Sequence, residues 1–152
     1  MRPATVAQQG RRARVRRWGS FPTTADVGIW ATGPTPGALF EALGLGLFAL
    51  MTDRARVRPR LERAVSASGE DPAELVVAFL GELLLLHETE GFLAREIRAR
   101  PVGDPPTAVV ASVSGEPFEA GRHAARTAVK AVTLHGLTID FALGRARVIV
   151  DI

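Results

Sequence analysis

The chain has 152 residues, 47% hydrophobic and 23% charged, a balance that suits one globular domain and excludes a disordered chain. It holds no Cys, which removes disulfide frameworks, thiolate zinc sites, iron–sulfur clusters and cysteine nucleophiles. The net charge of +3 is unevenly spread: Arg2, Arg11, Arg12, Arg14, Arg16 and Arg17 stand in residues 1–19 without an acid, and removing these six from the 19 basic residues leaves 13 against 16 acids, a net −3 body. Residues 1–17 therefore read as a basic N-terminal arm and residues 18–152 as the domain. A solvated leader is the favoured reading of the arm, with non-specific phosphate contact as the alternative.

No apolar segment of signal-peptide type follows the arm, although its acid-free, Arg- and Ala-containing start also resembles an organellar transit peptide. The longest apolar run, Leu75 to Leu86, is broken by Glu82 and too short to span a bilayer, so no membrane association is expected. A cytoplasmic location is the default expectation.

In chain order, Val27–Thr32 reads as a strand. Thr35-Pro36 then opens a helix, Thr as N-cap and Pro at the first position. Leu39, Phe40, Leu43, Leu47, Phe48 and Met51 form its apolar stripe, which ends near Thr52. Gly44 and Gly46 lie inside that pattern, not between a strand and a helix, so they point to close packing and not to a nucleotide loop. Leu61–Ala67 is strand-like. Asp71-Pro72-Ala73-Glu74 sets a capping box for a second helix, with Leu75, Val76, Phe79, Leu80, Leu83 and Leu84 as its face and an end near His87.

Strands follow over Phe92–Ala99, Thr107–Ser114, Ala128–Leu134, Leu137–Leu143 and Ala146–Val150, with a loop over Pro101–Pro106 and a hairpin across Gly144-Arg145. Two early helices and a run of strands predict an α+β fold: one compact domain with two amphipathic helices packed on mostly antiparallel β-sheet.

Candidates for chemistry are sparse. His87, His123 and His135 show no paired metal spacing, and no serine sits in a nucleophile elbow. Lys130 is the only lysine in an arginine-rich chain, a feature that fits either a point-charge phosphate contact or codon bias. Asp26 stands at the mouth of a predicted strand and Asp151 directly after another, beside the α-carboxylate of Ile152. Brought together, these would form an oxygen-only cluster suited to Ca²⁺ or Mg²⁺ more than to zinc. Spacing alone does not bring residues 26 and 151 together, and ordinary turn and terminal carboxylates are the simpler reading.

Thr24-Ala25-Asp26-Val27-Gly28-Ile29, followed by Leu47-Phe48-Ala49-Leu50-Met51-Thr52-Asp53, resembles the opening half of the archease family. The middle, Glu74-Leu75-Val76 through Phe79-Leu80-Gly81-Glu82-Leu83-Leu84, is similar as well. The end matches best: Gly115-Glu116, His123, Val129-Lys130-Ala131-Val132-Thr133-Leu134-His135, and Val148-Ile149-Val150-Asp151-Ile152. These motifs cover nearly everything from Trp18 onward, in the family's order.

The resemblance implies a non-catalytic partner of the RtcB-type RNA ligase, promoting that ligase's guanylylation by GTP and its turnover in tRNA splicing and RNA repair. It also implies a divalent-metal site on Asp26, Asp151 and Ile152, occupied by Ca²⁺, with Mg²⁺ or Mn²⁺ as alternatives. Lys130 and His135 fall in the matching V-K-A-V-T-x-H stretch without a specific role. The family usually carries His directly before Thr-Ala-Asp. Here that position is Thr23, which would have to replace the imidazole with a hydroxyl. Two other readings stand beside this one: an RNA-binding accessory module working through residues 2–17, and a small metal-dependent hydrolase using Asp26 and Asp151 with His123 or His135 as base.

Overall fold

The structure is a computed structural model that describes residues 16–152. The arginines Arg2, Arg11, Arg12 and Arg14 of the expected arm lie outside the described residues. The first element is β1 (Trp18–Pro22), an additional strand just where the arm was expected to give way to the domain. It pairs antiparallel with β2 (Val27–Thr32).

Helix α1 (Pro36–Met51) starts as its sequence demands, with Thr35 Oγ1 accepting from the Ala38 N–H at 3.1 Å. All six residues of its expected stripe are buried. Gly44 and Gly46 are packing glycines. A Cβ at Gly44 would stand 2.6 Å from Ile97 Cδ1, and one at Gly46 2.7 Å from Ile29 Cγ2.

A 3₁₀ turn (Arg54–Arg56) and β3 (Leu61–Ser68) lead to α2 (Pro72–Glu90). Asp71 Oδ1 accepts from the Glu74 N–H at 2.9 Å, while the Glu74 carboxylate reaches back to the Glu70 N–H, one residue before the cap. The helix passes His87 and stops where Gly91 takes a left-handed φ of +67°, its N–H returning to the His87 carbonyl. The expected apolar face is wholly buried, each large side chain contributing about 1.5–3 kcal/mol. Phe40 and Phe79 join the helices edge to face, with ring centroids 5.5 Å apart.

The remaining strands are β4 (Phe92–Gly103), β5 (Pro106–Pro117), β6 (Ala131–Asp140) and β7 (Arg145–Asp151). They complete two antiparallel sheets, ordered β1-β2-β7-β6 and β3-β5-β4. Helix α1 packs on β2 and β4, and α2 on β3, β5 and β6, so both helices bridge the sheets and the core lies between.

Three expectations change. The segment Pro101–Pro106 is not a loop: β4 runs to Gly103 and β5 begins at Pro106. Because β4 is an edge strand, Pro101 can join it without breaking an inner ladder. The two expected strands Ala128–Leu134 and Leu137–Leu143 are a single β6, interrupted by a register shift between Thr133 and Thr138 that contains Gly136 at φ +70°. The final hairpin turns over Phe141–Gly144, where Asp140 Oδ1 accepts from the Leu143 N–H, and not across Gly144-Arg145 alone. No helix among the described residues is long and apolar enough to cross a membrane.

Candidate metal centre and the buried carboxylate

The β2–β7 register decides where the candidate carboxylates stand. Val27 faces Val150, and Ile29 faces Val148. Val150, Ile29 and Val148 are buried, so these positions form the inner face of the sheet. Asp151 is the last residue of β7 and pairs with Ala131 of β6, while Asp26 stands in the bend directly before β2. Alternation turns Asp151, like Ile149, away from the buried Val148 and Val150. The pairing of Val27 with Val150 brings the two ends of the domain together, and Asp26 and Asp151 each lie one residue beyond that pair.

Asp26 is half-buried, while Asp151 and Ile152 are exposed. The turn before Asp26 is fixed by Thr23, whose Oγ1 accepts from the Asp26 N–H at 3.0 Å and whose N–H donates to the Asp26 carbonyl at 3.2 Å. The hydroxyl that stands where the family usually has His thus sets the backbone of the loop. Lys130 also acts through its backbone: its N–H donates to the Asp151 carbonyl at 2.7 Å, and its side chain is exposed. His135 sits in the irregular stretch of β6, exposed, and outside the paired register in which Ala131 meets Asp151.

Oxygen donors of this kind suit a hard divalent cation. Neither Asp26 nor Asp151 is tied up in an ion pair among the described residues. Among the same residues, no three His, Cys, Asp or Glu side chains gather at metal-binding spacing.

The most heavily partnered carboxylate is a different one. Glu116, near the end of β5, is fully buried. Its Oε2 accepts from the Arg58 N–H at 2.8 Å and from Arg122 Nη1 at 2.6 Å, and lies 2.9 Å from His123 Nε2. Its Oε1 accepts from Arg60 Nε and Arg122 Nη2, both at 2.9 Å. The forked contact with Arg122 holds the carboxyl far below the usual carboxylate range. Burial opposes this, while the Arg58 amide, His123 and Arg60 reinforce it.

Both nitrogens of His123 are committed. Nδ1 accepts from the Glu119 N–H at 2.9 Å, so Nε2 carries the proton and donates to Glu116. His123 is consequently a buried strut, not a base open to a substrate. This removes one of the two candidate bases, His123 or His135, of the hydrolase reading. Glu116 and His123 belong to the motifs quoted for the archease resemblance, but no local signal marks Glu116 as the partner of Arg60.

The profile of the archease protein family (MTH1598/TM1083) matches residues 18–152. This chain belongs to the archease family. The protein archease of Thermococcus gammatolerans is 37% identical over 127 residues, covering 83% of this chain and 89% of that one. That of Methanothermobacter thermautotrophicus is 36% identical over 135 residues, covering 87% and 96%. The solution structure of Methanobacterium thermoautotrophicum protein 1598 superposes with a TM-score of 0.74 at 33% identity, covering 91% of this chain and all of the other. The family match begins at Trp18, the first residue of β1.

Proposed function

We propose that this archease-family chain is a non-catalytic accessory protein in tRNA processing that promotes guanylylation and repeated turnover of an RtcB-type RNA ligase. The observation that carries the reading is membership of this family, supported by the Val27–Val150 pairing that brings the chain ends bearing Asp26 and Asp151 together. Asp26, Asp151 and the Ile152 carboxylate would hold a divalent cation, with Ca²⁺ favoured by the all-oxygen donors and Mg²⁺ or Mn²⁺ as alternatives. When bound, such an ion supplies positive charge that neutralises triphosphate oxygens.

The chain's own residues provide the mounting. The Thr23 hydroxyl fixes the loop that presents Asp26, and the Lys130 amide fixes the strand end that presents Asp151. Asp151 is exposed, as a site offered to a partner protein requires.

The test is ligase guanylylation with purified components, comparing the parent chain with Asp26→Ala and Asp151→Ala. Stimulation by the parent and its loss in both variants support the reading. Full stimulation by the variants overturns the metal-site mechanism, and no stimulation by the parent overturns the ligase partnership itself.

A further inference from the structure

Residues 54–60 carry an arginine at every second position: Arg54, Arg56, Arg58 and Arg60. The segment is well anchored. Asp53 Oδ1 accepts from the Ala55 N–H at 3.1 Å to start the 3₁₀ turn, and Val57 is buried in the core. Arg56, Arg58 and Arg60 are left exposed. The Arg60 guanidinium is taken by Glu116, but among the described residues the guanidiniums of Arg56 and Arg58 form no ion pair.

Behind this row two guanidiniums are locked side by side. Arg54 Nη2 donates to the Arg95 carbonyl, and Arg95 Nη1 donates to the Arg54 carbonyl at 2.9 Å. Burial, followed by repulsion from Arg95, pushes Arg54 down to about 10, with Glu96 pulling weakly the other way. The Nε of Arg54 is buried without an acceptor. Such a donor costs free energy unless something accepts from it.

A cavity of about 440 Å³ opens here between α1, the 3₁₀ turn and β4, with Arg54, Arg95 and Arg98 on its wall. Two acids also line it. Glu41 accepts from the Ala99 N–H at 2.9 Å and Glu96 is exposed, so two carboxylates stand against three guanidiniums. The Arg54 guanidinium lies over the Trp18 ring at 5.1 Å. Trp18 opens β1, so Arg16 and Arg17 join the fold beside this cavity.

We propose that Arg54, Arg56, Arg58, Arg95 and Arg98 form a binding face for the phosphate backbone of RNA, built into the folded domain and separate from the carboxylate pair. Guanidiniums without carboxylate partners present paired N–H donors to phosphate oxygens, and Arg56 and Arg58, at the end of the 3₁₀ turn and in the stretch after it, flank the buried Val57 and serve neighbouring phosphates of one strand. The contact is to the backbone, so it positions RNA without reading its bases. Arg54 and Arg95 hold each other in place, and the exposed Arg56, Arg58 and Arg98 carry the larger share of the salt-dependent contact.

The test uses the full chain and a fluorescein-labelled single-stranded RNA of mixed sequence, followed by anisotropy over a salt series. Three proteins are compared: the parent, a face variant (Arg56→Ser, Arg58→Ser, Arg98→Ser) and an arm variant (Arg2→Ser, Arg11→Ser, Arg12→Ser, Arg14→Ser). The face substitutions are on exposed side chains, and an unchanged melting curve verifies that the fold survives them. The expected result is a loss of about tenfold in affinity for the face variant and a salt slope shallower by about two. The arm variant still responds when the face substitutions are added to it. The proposal is overturned if the parent does not bind RNA, or if the face variant binds like the parent while the arm variant fails to bind. Displacement of the RNA by polyglutamate at matched charge also overturns it, assigning the face to an acidic protein partner.

Discussion

Glu116 and the Asp26–Asp151 pair are carboxylates in opposite circumstances. Glu116 is fully buried and receives five donors; Asp26 and Asp151 stand at the sheet's rim, free of ion pairs among the described residues. A buried carboxylate saturated by guanidinium, amide and imidazole has no lone pair left for a ligand, so its energy goes into holding the chain. The half-buried Asp26 and the exposed Asp151, without ion pairs among the described residues, have their oxygens to offer. The two sites are linked by the chain itself. Glu116 fixes the start of the segment that ends at Lys130, whose amide holds the Asp151 carbonyl.

The contrast is broken most severely at the pair. Asp26→Ala or Asp151→Ala is expected to lower cation affinity by roughly tenfold or more, read by calorimetric titration. The same variants should keep their unfolding free energy within about 0.5 kcal/mol of the parent. Glu116→Gln should do the reverse. It leaves Arg122, Arg60 and His123 facing a neutral amide, at a cost of about 3 kcal/mol in urea denaturation. Equal costs at the two sites would erase the distinction between them.

A pH series sharpens the same point. The Glu116 carboxyl ionises far below its unfolded value of about 4.3, so its stabilisation is fully present above that value and fades as pH falls beneath it. The parent should therefore lose stability steeply on acidification, and Glu116→Gln should show a flatter profile there.

The smallest expected effect is at Thr23. Thr23→Val removes the acceptor for the Asp26 N–H, at a cost of about 1 kcal/mol, whereas Thr23→Ser keeps it. Faster hydrogen exchange of the Asp26 amide in the Val variant alone would place the loop's order in that hydroxyl.

Much of the fold was readable because its signals are local. Thr35 and Asp71 cap the helices they were expected to cap, and both apolar faces are buried residue for residue. The misplaced features depend on partners far away in sequence. Pro101 belongs to a strand because β4 lies at a sheet edge, and β6 stays one strand because β7 continues alongside it past the irregular stretch. The candidate site divides in the same way. Asp26 and Asp151 could be singled out by their positions at strand ends, but only the family resemblance joined them before the β2–β7 register did. The Glu116 cluster was not legible, since Arg60 and Glu116 meet at a separation of 56 residues without a periodic pattern to announce it.

The strand order has a consequence for how the site comes into being. The seventh strand does not add to the sheet's edge but slots between the second and the sixth. During synthesis β1 and β2 emerge first and must wait, with one side of β2 unpaired, until nearly the whole domain has left the ribosome. Closing so long a loop is slow compared with forming either helix. A site shared by Asp26 and Asp151 would therefore form only on molecules in which β7 has taken its place beside β2.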